Sequence, residues 1–198
     1  PHFEKMLYDN GQLVETYCMA HEIKPFAPDP EFYPRIIRHV CDYVLREMTD
    51  PMGAFWSAQD AEVDAREGGN YVWTTDEVQE AIGDKDLARL AQEMYGVNLG
   101  TNFVDPHMPS AAPVNVLFLP KALHELADAK GVQMDELLAK KQSIDRLMMT
   151  VRDQRKQPGT DDKVLVSWNG LMIAGFARAG QLLNDPRYVA AAAAAATA

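Results

Sequence analysis

Three groups of residues have the types and spacings that chemistry needs. Asp161, Asp162 and Lys163 lead into Ser167, Trp168, Asn169 and Gly170 at the head of a uniformly apolar segment. Two acids, a base and an aromatic-amide step are thus delivered to the mouth of a buried element. At the other end of the chain His2, Glu4, Lys5, Tyr8, Asp9 and Asn10 interrupt an otherwise apolar stretch. Polar groups taken out of water need partners or a ligand, so both places point to a polar pocket ringed by helices. On a helix, His2 and Asp9 would lie about 20° apart around the axis and could hold a sugar hydroxyl or serve as acid and base. The plainer alternative is that Asp9 pairs with an arginine or caps a backbone group while His2 frays.

The third group is the loop from Ser57 to Gly68, where Asp60, Glu62, Asp64 and Glu67 fall beside Phe55, Trp56, Tyr71 and Trp73. Carboxylates near aromatic planes suit carbohydrate, because sugar faces stack on rings while acids take the hydroxyls. Asp60, Glu62 and Asp64 also form a loose calcium-loop spacing without the full EF-hand pattern, and the plainer reading of them is an ordinary solvated acidic loop. For Asp161 and Asp162 the rival to a pocket role is a clamp onto Arg152 and Arg155.

These residues must be positioned by helices. Phe3 to His21 is apolar around most of its circumference and predicts a helix buried on nearly all sides. A proline-rich turn through Pro25, Pro28 and Pro30 leads to a helix from Phe32 to about Met48. Its stripe of Ile36, Ile37, Val40, Cys41, Val44 and Leu45 faces inward, and Arg35, Arg38, His39 and Arg46 face water. An inner helix followed by an outer one is the unit of a toroid of helical hairpins. The pattern returns with a one-sided helix from Met134 to Gln157, then a helix after Ser167 apolar nearly all round, loosened late by Gly180. Asn184-Asp185-Pro186 stops it and caps the alanine-rich helix beyond. Between these halves, Pro51 to Thr74 predicts two short strands around the acidic loop, with Thr75 or Asp76 capping a short helix. The long proline-bearing segment from Asn98 to Pro120 predicts a functional loop or flap.

Composition bounds the function. With 198 residues, 47% of them hydrophobic, the chain can bury a sizeable core as one domain or a large piece of one. It starts at Pro1 inside an expected helix and stops in an alanine run, so both ends look cut. A net charge of -10 argues against a nucleic-acid partner, and no apolar run approaches membrane-spanning length. Cys18 and Cys41 lack any CxxC or zinc spacing and read as buried free thiols of a reducing, cytoplasmic compartment. No metal or cofactor is expected. The common motifs of serine hydrolases, P-loop and dinucleotide-binding enzymes, and zinc proteases are absent.

The stretch from Pro1 to Asn10 (PHFEKMLYDN), the Ser57-Ala58-Gln59-Asp60-Ala61 loop leading to Tyr71-Val72-Trp73-Thr74, and Asp161-Asp162-Lys163 with Ser167 to Ala174 (SWNGLMIA) occur in one order across nearly the whole chain. In these segments the chain resembles the spermatogenesis-associated thioredoxin-domain family. The resemblance implies an all-α fold: a partial (α/α)6 toroid, like that of the six-hairpin glycosidases and N-acylglucosamine 2-epimerases, spanning residues 1–198 with short β-hairpin insertions. It also implies a thioredoxin-like domain upstream in the full-length chain. The acidic loop and the Asn98 to Asn115 segment depart from the family's usual pattern. The expected catalytic residues are Asp9, Asp60, Asp161 and Asp162, and the expected substrate-binding residues are His2, Tyr8, Trp56, Trp73, Trp168 and Asn169. If catalytic, the site would hydrolyse or epimerise a carbohydrate. The rival is a non-catalytic binding module that supports the redox domain.

Overall fold

The computed structural model describes residues 2–23 and 29–198. Pro25 and Pro28 of the expected turn lie outside the described residues. In chain order the first elements are β1 (Lys5–Met6), α1 (Leu7–Ile23), α2 (Phe32–Glu47), β2 (Ala58–Gln59), β3 (Glu62–Val63), β4 (Arg66–Glu67) and β5 (Val72–Trp73). Then come α3 (Thr75–Ile82), α4 (Lys85–Met94), a 3-10 turn (Val97–Leu99), β6 (Asn115–Val116) and α5 (Leu123–Lys130). The chain closes with α6 (Met134–Gln154), β7 (Thr160–Asp161), α7 (Val166–Leu183) and α8 (Pro186–Ala195). The fold is mostly helical with short β pairings, as expected for the all-α class. Among the described residues no helix is long and apolar enough to cross a membrane.

Two compact units form. The first joins Phe3–Ala61 to Gly159–Ala198, and the second is built from Glu62–Pro158 together with His2. In the first unit β2 lies between β1 and β7 and is antiparallel to both, with Met6 opposite Ala58 and Ala58 opposite Asp161. The two outer strands therefore run in the same direction, and the helices that follow them, α1 and α7, pack side by side and parallel. Tyr8 meets Trp168 near their starts, Gly11 meets Leu171 and Met172 in the middle, and Glu15 and Glu22 pair with Arg178 further on. Glycine makes the approach close: a Cβ on Gly11 would stand 2.9 Å from backbone atoms of Leu171 and Met172. Gly175 lies against the Gly11 carbonyl from the other side.

Helix α2 folds back on α1 and α8 folds back on α7. The stripe Ile37, Cys41 and Val44 is buried as its spacing predicts, while Arg35, Arg38 and Arg46 pair with Asp29, Glu31 and Glu47 instead of entering the core. Phe55 stacks on Phe176 with centroids 5.1 Å apart, and the buried Tyr188 donates its hydroxyl to Asp42. Cys18 and Cys41 are free and buried; burial pushes the Cys18 thiol up to about 11 and that of Cys41 upward too.

Several expectations change here. Helix α1 starts at Leu7, not Phe3, because Lys5 and Met6 are drawn into the sheet by β2. It buries one face, Leu7, Gly11, Val14 and Cys18, and leaves Leu13 and Met19 exposed; α7 likewise exposes Val166 and Leu171. Gly180 does not loosen α7. It admits α8, since a Cβ there would be 2.5 Å from Val189. The Asn184 stop (φ 52°) and the Asp185 cap of α8 form as read from the sequence.

In the second unit α3 is capped by Thr74, one residue earlier than expected, in a reciprocal box with Glu77. Its core gathers Trp73, Val78, Ile82, Met94, Leu123, Leu126 and the buried face of α6, Leu137, Ile144 and Met148. The chain between Pro51 and Thr74 holds more strand than expected, with β3 and β4 closing a two-residue hairpin over Asp64 and Ala65, both at positive φ. β5 pairs with β6.

Candidate functional site

The first candidate region lies at the strand-to-helix junctions of the first unit. There β1 hands over to α1 at Tyr8 and Asp9, and β7 leads through Asp162 to Trp168 and Asn169. The Tyr8 and Trp168 rings meet edge to face, centroids 4.8 Å apart at 71°, and both stay half-buried. Asp9 is exposed in the first turn of α1, where the helix dipole favours a negative charge. Asp162 is exposed and Trp56 half-buried. Asp60 holds its backbone N–H on the Gly159 carbonyl, and its carboxylate crowds Gly159 so closely that a Cβ there would stand 2.6 Å away.

Asp161 receives both oxygens' contacts from Lys163, at 3.0 and 2.9 Å, and its backbone carbonyl accepts from Ser57. Hydrogen bonds from Lys163 hold the Asp161 carboxyl below the ordinary aspartate range. A carboxyl depressed in the folded state contributes stability above its unfolded pKa and loses it as pH falls through the folded value. In a carboxyl NMR titration Asp161 is therefore expected to protonate below the usual value of about 3.9, and Lys163→Ala to raise it. An unmoved Asp161 curve in that variant would remove Lys163 as the cause.

Other expected site residues are placed differently. His2 precedes β1, so no helix relates it to Asp9; its Nδ1 instead stands 3.8 Å from Glu67. Asn169 is buried and spent on the backbone: its Oδ1 accepts from Phe55 N–H at 2.9 Å, and its Nδ2 donates to the Phe55 and Leu165 carbonyls. Trp73 is enclosed in the core of the second unit, with the Arg155 guanidinium 4.0 Å from its ring centroid. It offers no face to a sugar. Arg155 also donates to the Asn70 and Val72 carbonyls and pairs with Glu77, and Arg152 lies over Tyr71. The clamp alternative for Asp161 thus gives way to Lys163. Of the loose calcium spacing, Asp60 lies against Gly159 in the first unit and Asp64 pairs with Lys156 in the second.

The second unit holds a cleft of about 1020 Å³ between the β3–β4 hairpin, the segment from Phe103 to Val114, and Arg155 with Lys156. None of the expected site residues lines it. Two sequence signals fall on it: the long proline-bearing segment, whose Phe103, Asp105 and Met108 form part of its wall, and the acidic loop, whose Asp64 and Glu67 form another. Glu77 carried no signal of its own, and Arg155 was read only as a clamp for Asp161 and Asp162.

No family model matches the chain. The chain is similar to spermatogenesis-associated protein 20 of Homo sapiens and of Rattus norvegicus, at 31% identity over 96% of its length in each case. It is also similar to an uncharacterised protein of Caenorhabditis elegans, at 27% identity over 96% of its length. It spans about a quarter of these relatives, 26 to 27% of their length.

Proposed function

We propose that this chain belongs to the spermatogenesis-associated thioredoxin-domain family, forms part of an (α/α)6 toroid, and binds a carbohydrate at the strand-to-helix junctions of its first unit. Two hairpins with parallel neighbouring first helices, α1 beside α7, and returning helices α2 and α8 are the arrangement that adjacent inner and outer pairs of such a toroid require. The apolar side chains left exposed on α1 and α7 suit further hairpins. A cytoplasmic setting, with a thioredoxin-like domain elsewhere in the full-length protein, belongs to the same reading.

The observation that carries the ligand is the Tyr8–Trp168 ring pair, half-buried at the starts of two adjacent helices, with Asp9, Asp161 and Asp162 in the same junctions. Rings supply a sugar-stacking surface and ionised acids take hydroxyls. A glycosidase needs one carboxyl to carry a proton to the leaving oxygen beside a second, ionised one; Asp161, held ionised by Lys163, does not suit the proton-carrying role and suits a hydroxyl acceptor. A panel of mono- and oligosaccharides titrated calorimetrically against the protein tests this. Trp168→Ala and Asp162→Asn are each expected to weaken the sugar that binds by at least tenfold, with Asp162→Asn leaving the melting temperature unchanged. Full affinity in Asp162→Asn and Trp168→Ala, or no sugar bound by the full-length protein, would reject the site.

A further inference from the structure

The β3–β4 hairpin sets two acids against each other. Its register places Glu62 directly opposite Glu67, and like charges across a strand pair are destabilising. What stands against them is an imidazole: His107 Nε2 is 3.6 Å from Glu62 Oε1 and 3.9 Å from Glu67 Oε2. One ligand atom from each of the three residues lies within 4.8 Å of the others. Neighbouring donors of a tetrahedral ion with bonds of about 2.1 Å stand roughly 3.4 Å apart. Closing the widest of these separations takes a shift of at most about 1.4 Å, shared between two flexible side chains.

Glu62 and His107 are exposed, but the acid between them is enclosed and braced. Glu67 keeps only 10% of its side-chain surface exposed. The buried Asp105 carboxylate ties the two scaffolds together, accepting from the Glu67 backbone N–H at 3.0 Å and from the His107 backbone N–H at 2.8 Å. Strand and loop are thereby held in the geometry that brings the donors together, the part that outer groups play around metal ligands. His2 Nδ1, 3.8 Å from the other oxygen of Glu67, supplies a fourth donor within reach.

We infer that Glu62, Glu67 and His107, with His2 beside them, form a binding site for a divalent transition ion of the zinc class. The donor chemistry selects the class. Imidazole favours zinc over calcium or magnesium, and calcium wants six to eight oxygens that two carboxylates cannot supply. Glu67 is also a wall of the cleft, so the ion sits at its rim. Spacing in the chain hides the set, because His107 is forty residues from Glu67 and no short metal motif links them.

The test is a calorimetric titration of chelator-stripped protein with zinc chloride, repeated with magnesium and calcium chloride. One equivalent of zinc is expected to bind and to raise the melting temperature. Glu67→Gln and His107→Ala should each weaken zinc at least tenfold, His2→Ala by less, and His124→Ala not at all. Absence of zinc binding, affinity unchanged in His107→Ala, or calcium bound more tightly than zinc would overturn the proposal. If Glu67→Gln fails to fold, the exposed His107→Ala still decides.

Discussion

Gly11→Val is expected to destabilise the protein by about 3 kcal/mol, the upper part of the usual overpacking range, or roughly 10 °C in melting temperature for a chain of this size. The reason is that the new side chain meets backbone, which cannot rotate away. A Cβ on Gly11 falls 2.9 Å from Leu171 C and Met172 N, so α1 and α7 must part along their whole parallel seam. Gly175→Ala meets the Gly11 carbonyl at 3.1 Å and Val14 at 3.3 Å and should cost less. Gly170 is the control: nothing lies within 4 Å of a Cβ there, and it is helical, so Gly170→Ala should hold or gain up to ~1 kcal/mol. Thermal denaturation of the three variants orders them. Equal melting of Gly11→Val and the parent would mean that the two helices do not meet at this glycine.

Asn169→Ala is expected to cost about 2 to 4 kcal/mol, since it strands the Phe55 N–H and carbonyl, each an unmet buried group worth roughly 1 to 3 kcal/mol. Faster hydrogen exchange at the Phe55 amide should accompany the loss, because that amide donates to Asn169 and to no strand. Sugar affinity of the folded fraction should stay unchanged. Normal stability with lost sugar binding would return Asn169 to the ligand.

These two positions show what the sequence could and could not disclose. Helix α2, the end of α7 and the start of α8 were legible because their causes are local: a stripe at helical spacing, a left-handed Asn184, an Asp185 cap before Pro186. The start of α1 was not, because β1 exists only by pairing with residues more than fifty positions away. The apolar arcs of α1 and α7 were read correctly as apolar but not as exposed, since burial depends on what packs against each face. Asn169 and Trp73 had the right chemistry for a ligand, yet one is consumed by the Phe55 backbone and the other by Arg155 and the core. Helices α4 and α5, short and set within the second unit, went beyond what periodicity predicted, and the acids at the cleft showed their company only once β3 and β4 paired.

The first unit is built from two stretches of chain with the whole of Glu62–Pro158 between them. Asp161 meets Ser57 across 104 residues, Asn169 meets Phe55 across 114, and Arg178 meets Glu15 across 163. On a ribosome making about 5 to 20 residues per second, α1 and α2 wait on the order of 5 to 20 s before β7 and α7 exist to cover them. The intervening unit, continuous in sequence, has all its own partners by then and closes first. Leu7, Gly11, Val14 and Phe55 therefore stay uncovered for that interval, and the stretch Gly159–Ala198 is the keystone that ends it.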